Sequence, residues 1–159
     1  MRRAVTIVTA TAAIALLASP AFGAAGDWYS KSQPLKATES GTVHAEAYGY
    51  FTNDSNKYAN DQTWRLDPDA NGHSVFVDTE FKFYEVVDSA CHLGLDAPCW
   101  GDDKHIQTAR WSSNSWGGAY VHDALPSTAN RARGVIQVCE DISLRPDICS
   151  DTTTMDFSY

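Results

Sequence analysis

Residues 74–87 alternate with period two along their length. Val75, Val77, Thr79, Phe81 and Phe83 share one parity, and Asp78, Glu80, Lys82 and Tyr84 share the other. Side chains two residues apart lie on the same side when the backbone is extended. The charges assign the second face to solvent, so the segment reads as an antiparallel strand buried on one face. One such strand is not stable in water. It commits the chain to supplying partners for its edges and a cover for its apolar face.

Residues 42–51, 63–66, 106–112, 119–124, 134–142 and 152–159 read as further strands. Residues 53–61 are rich in Asn, Asp and Ser and read as a loop; residues 67–72 and 112–115 read as turns. No window of eleven or more residues carries a helical stripe. Short strands punctuated by turns predict an all-β fold, an antiparallel β-sandwich of about six to eight strands over residues 42–159.

The N-terminus differs in kind. Met1, Arg2 and Arg3 make a basic start, residues 4–17 carry no charge, Pro20 ends the apolar run, and small residues follow through Ala25. This is the layout of a cleaved secretory signal peptide, assigned to residues 1–23 with a cut after Gly23 or after Ala25. A membrane anchor is disfavoured by the Ala and Thr content, by Pro20 and Gly23, and no second apolar run follows. The expected address is extracellular. About 136 of the 159 residues then remain, enough for one domain with a core. Losing Arg2 and Arg3 leaves ten of the twelve Lys and Arg against twenty Asp and Glu. So acidic a surface repels nucleic acid and anionic lipid, and neither is expected as a partner.

Residues 24–41 lack sustained periodicity and are expected to form an extended N-terminal arm. The arm carries Trp28, Tyr29 and Leu35, large apolar residues that a solvated linker seldom keeps. They either pack back on the domain or anchor a partner. Cys91, Cys99, Cys139 and Cys149 are even in number and bound for an oxidising compartment, which predicts two disulfides. Three pairings exist. Cys91–Cys99 and Cys139–Cys149 are preferred, because each closes a short loop around a proline, Pro98 or Pro146. Each such loop would contribute roughly 2.5 kcal/mol through chain entropy. No cysteine is left over for thiol catalysis, and no C-x-x-C pair suggests zinc.

Catalytic signals are sparse. His44, His73, His92, His105 and His122 fall in no H-E-x-x-H, and there is no G-x-S-x-G elbow or P-loop. Asp102, Asp103 and His105 read as a solvated charged loop. With so many carboxylates, a glycosidase-like pair can always be found and carries no information. No catalytic residue and no cofactor is assigned. Asp67-x-Asp69-x-Asn71-Gly72, with Asp78 in the last position, matches the calcium-loop template except that Asp replaces the final Glu. Asp78 lies in a strand, however, and Pro68 and Gly72 make a turn unaided, so the plain turn is preferred to a calcium site. Trp64, Trp100, Trp111, Trp116 and Tyr120 either fill the core or stack against sugar rings, with Asn114 and Asp123 taking hydroxyls.

A leader, an arm, a small β-domain and the C-terminal segment Gly134-Val135-Ile136-Gln137-Val138-Cys139-Glu140-Asp141, followed by Pro146-Asp147-Ile148-Cys149-Ser150, resemble small secreted actinobacterial proteins. In particular the chain resembles the adaptor subunit of umbrella toxin particles. The resemblance implies a protein without enzyme activity. It would link a large repeat-containing toxin protein to a lectin subunit, its N-terminal arm threading the toxin protein's repeats, in a particle used against competing bacteria. The alternatives are a secreted carbohydrate- or cell-wall-binding module, and a secreted inhibitor of an extracellular hydrolase that inserts a braced loop such as residues 91–99.

Overall fold

Alternation of buried and open positions recurs in most of the long strands, and two antiparallel sheets stack face to face. The computed structural model describes residues 25–69, 71–85 and 99–159, with ten strands and no helix among them. The first sheet holds β1 (Gly26–Trp28), β2 (Leu35–Glu39), β3 (Thr42–Asp54), β4 (Tyr58–Leu66) and β7 (Gly117–Ala124). Its order is β1-β3-β4-β7, with β2 continuing β1 along the same edge of β3. The second holds β5 (Ser74–Glu85), β6 (Cys99–Gln107), β8 (Ala129–Asp141), β9 (Ile148–Cys149) and β10 (Thr153–Ser158). Its order is β10-β8-β5-β6, and β9 continues β10 along β8. The fold is the antiparallel β-sandwich expected from the sequence.

The core lies between the sheets. Ala45, Ala47, Phe51 and Val121 from the first sheet meet Val77, Phe81, Ile136, Val138 and Phe157 from the second. Phe51 is the hub: its ring centroid lies 5.9 Å from that of Phe81 and 5.4 Å from that of Phe157. The ring also covers Gly134, where a Cβ would stand 2.8 Å from it. A buried carboxylate lies among these groups. Asp61, on the inner side of β4, accepts the indole N–H of Trp28 at 2.8 Å and the hydroxyl of Thr79 at 2.6 Å. Burial pushes its carboxyl up to about 6, against the smaller opposing effect of the two hydrogen bonds. The Thr79 bond crosses from one sheet to the other.

Residues 25–41, the described part of the expected arm, do not form a separate arm. Gly26, Asp27 and Trp28 pair with Phe51, Tyr50 and Gly49, and Leu35 to Glu39 pair with the first half of β3. Trp28 is 1% exposed and Leu35 5%. The indole lies against Gly49, whose missing Cβ leaves it room, and its N–H is spent on Asp61. The reason is economical: a Trp and a Leu in a polar segment gain more by covering an open sheet edge than by standing in water. The domain therefore includes β1 and β2 and does not start at Thr42. Of the three residues expected as partner anchors, Tyr29 alone is open, at 49%.

Three further differences have local causes. Residues 53–61 are a hairpin, not a loop. Asp54 and Lys57 close a tight turn over Ser55 and Asn56, both with positive φ, and Asn53 caps the Asn56 N–H through its side chain. Buried Asp61 disguised the following strand, because it occupies an inward position where an apolar residue was expected. Strand β6 runs from Cys99 to Gln107, earlier than residues 106–112. Asp78, placed on the solvent face by parity, is buried, taking a hydrogen bond from Gln137 and contacting His105. Cys139 and Cys149 are bonded as expected. Cys99 is also disulfide-bonded. Its expected partner Cys91, the expected leader and most of the loop 91–99 lie outside the described residues.

Candidate functional site

Parity on the outer side of the first sheet dictates what solvent meets there. Ala47, Gly49, Phe51, Thr63 and Val121 point inward, so Tyr48, Tyr50, Trp64 and Tyr120 point outward. The register sets them side by side: Tyr48 opposite Trp64, and Tyr50 opposite Gln62, itself opposite Tyr120. Tyr48 and Trp64 stack at 5.3 Å with planes 11° apart, and Trp116 meets Tyr48 edge-on at 4.9 Å. Tyr50 donates its hydroxyl to Gln62 Oε1 and tilts against Trp64. Further along, His122 stacks with Tyr120 at 5.9 Å and meets Tyr58 edge-on at 4.8 Å. Tyr120 is 66% exposed.

Two depressions lie along this aromatic strip. The first, about 300 Å³, is lined by Tyr29, Tyr48, Tyr50 and Trp64 with Asp27, Ser30 and Lys31 at its rim. The second, about 280 Å³, is lined by Tyr58, Tyr120 and His122 with Asp54 and Asn60. Each pairs flat aromatic faces with a carboxylate and other hydrogen-bonding groups. Such a surface stacks on the apolar face of a ring and holds polar groups at its edge. The strip contains no nucleophile–base pair, and its groups are spread along three strands.

Of the five aromatics singled out from sequence, the sheet brings together Trp64, Trp116 and Tyr120. Trp100 lies on the opposite sheet beneath Arg133, whose guanidinium is 4.0 Å from the ring. Trp111 bridges β5 through its backbone and donates its indole N–H to Ser115 O. Asp123 pairs with Lys104 at the β6–β7 edge, and Asn114 is exposed in a turn. Tyr48, Tyr50, Tyr58 and His122 were missed. The first two were legible, since they hold the parity opposite Ala45, Ala47 and Phe51 in the strand at residues 42–51. Asp102 and Asp103 fall in strand β6, not in a loop.

The calcium template is not assembled. Asp78 faces Gln137 and His105 on β5, while Asp69 and Asn71 turn the other way, toward His44 and Glu140. The strand direction carries Asp78 away from the turn, as its place in β5 requires. No family model, no curated protein and no solved structure matches the chain.

Proposed function

We propose that the protein is a secreted, non-enzymatic binding module that holds a carbohydrate or cell-wall polymer on the aromatic outer face of its first sheet. The observation that carries this is the strip from Trp116 through Tyr48, Trp64 and Tyr50 to Tyr120, flanked by its two polar-rimmed depressions. The core does not need these rings, because Phe51, Phe81, Phe83 and Phe157 fill it. Half-buried or exposed aromatics grouped on an outer sheet face, with no place in the core, mark a recognition surface. The Cys139–Cys149 bond fits an oxidising address.

Retention on immobilised insoluble polysaccharides, peptidoglycan included, tests the proposal. Wild type should be retained by at least one. Trp64→Ala and Tyr120→Ala should each elute early while keeping the wild-type circular dichroism spectrum. No retention on any polymer, or retention untouched by both substitutions, rejects it.

A second reading keeps the adaptor that links a large repeat-containing toxin protein to a lectin subunit. The openness of Tyr29 at the rim of the strip favours a protein contact there. In that reading the contact is the sheet face, since Trp28 and Leu35 are committed to the core. Capture of a large repeat protein from culture supernatant, lost with Tyr29→Ala and Trp64→Ala, would select it.

A further inference from the structure

We propose that His44, Asp69 and Glu140 form a binding site for a divalent transition-metal ion of the zinc class, at the end of the sandwich closed by the β4–β5 turn. The three come from β3, the turn and β8, and nothing in the recognition strip requires them.

His44 reaches the site through a break in the sheet. The β2–β3 register passes from Ala37 opposite Ala45 to Thr38 opposite Val43, which leaves His44 as the extra residue of a β-bulge. A bulge re-aims a side chain. Parity would place His44 outward with Glu46 and Tyr48. The bulge brings its Nδ1 to 2.8 Å from Asp69 Oδ2 and 3.2 Å from Glu140 Oε2. Glu140 continues the inward parity of Ile136 and Val138 and is 1% exposed. A carboxylate at such a position is strongly disfavoured unless its charge is met.

That charge is only half met. Glu140 Oε1 accepts from Asn71 Nδ2 at 2.6 Å, but Oε2 has no hydrogen-bond partner. Neither has Asp69 Oδ1 nor His44 Nδ1. The imidazole nitrogen is close to both carboxylates yet aligned to donate to neither. Donor atoms that crowd together without bonding one another are placed as ligands around a shared centre. The three residues each offer a ligand atom, all within 4.8 Å of one another.

The spacing and chemistry select the ion. Ligands about 2.0–2.2 Å from a tetrahedral zinc ion stand about 3.3–3.6 Å apart. One imidazole with two carboxylates suits zinc or a neighbouring first-row ion, whereas calcium and magnesium seek shells of oxygen. Three protein ligands leave a fourth position for water or an outside donor. Asn71 supports the set from behind. Its Nδ2 bonds Asp69 Oδ2 at 2.9 Å as well as Glu140, and its Oδ1 accepts the His73 N–H, which fixes the amide. The Cys139–Cys149 bond clips β9 to β8 one residue before Glu140.

The test uses the purified, disulfide-bonded protein after chelator treatment, titrated calorimetrically with zinc chloride. One zinc per chain should bind, and zinc, not calcium, should raise the melting temperature. Cobalt(II) should give the visible bands of a tetrahedral ion. His44→Gln and Glu140→Gln should each weaken zinc binding at least tenfold and abolish the cobalt bands; His105→Gln, on the far face of the second sheet, should change neither. Should Glu140→Gln fail to fold, His44→Gln, at a side chain 13% exposed, decides alone. Wild type that binds no zinc overturns the proposal and leaves His44 as a structural neighbour of the two carboxylates. Unchanged affinity in His44→Gln overturns it too, assigning the ion to surface histidines.

Discussion

Replacing Asp61 by Asn should relieve the fold of a charge it tolerates poorly at neutral pH. Asp61 lies between the sheets, and burial raises its carboxyl from 3.8 to about 6. A carboxyl whose pKa is higher in the folded than in the unfolded state stabilises the fold while protonated. That contribution is complete below about 3.8 and is lost as pH rises through about 6. Roughly two pKa units at about 1.36 kcal/mol each amount to about 3 kcal/mol between pH 3 and pH 7. Asn keeps the shape: its carbonyl can accept the Trp28 indole N–H, its amide can donate to the Thr79 hydroxyl, and it does not titrate. The stability of Asp61→Asn relative to wild type should therefore climb by about 3 kcal/mol across that window. Urea unfolding followed by circular dichroism at closely spaced pH values measures it. Taking the difference cancels the groups that both proteins share. A flat difference would mean that Asp61 ionises in the fold as readily as in the open chain, and the account of its burial would be wrong.

Gly49→Ala should destabilise by about 1–3 kcal/mol, read as a lower urea midpoint at unchanged slope. The new Cβ would stand 2.3 Å from Gln62 O and 2.8 Å from the Trp28 ring, and the backbone atom cannot swing away. Deleting residues 26–39 should unfold the domain, because it removes Trp28 and Leu35 from the core at a cost of roughly 5 kcal/mol or more. A truncated protein with a wild-type thermal transition would restore the detachable arm. Replacing Cys139 and Cys149 together by Ser should cost roughly 2.5 kcal/mol for a separation of ten residues, measured by chemical unfolding.

The strands with clean alternation were legible in the sequence, and the departures cluster where a polar side chain sits inside. Asp61 hid the start of β4, and Asp78 was sent to solvent by parity although Gln137 and His105 keep it company. Trp28 could be recognised as a residue that needs burial. Its cover, Gly49 and Asp61, lies more than twenty residues away and is joined to it only by strand pairing. The aromatic strip was half visible: Tyr48 and Tyr50 follow from parity, but Trp64 and Tyr120 become their neighbours through the β3–β4–β7 order, which no local pattern encodes. The ligand set was the least visible. Glu140 carries a hint, as an acid on the buried parity of an apolar strand. The bulge that turns His44 toward it depends on how β2 pairs with β3.

The packing of Phe51 on Phe81 and Phe157 also fixes the order in which the molecule can be completed. Most of the first sheet is encoded by residues 26–66, yet its central ring finds its last neighbour on β10. A chain emerging N-terminus first from a ribosome therefore leaves part of this apolar sheet uncovered until β10 has followed. Contacts that span the whole chain make such closure late and slow.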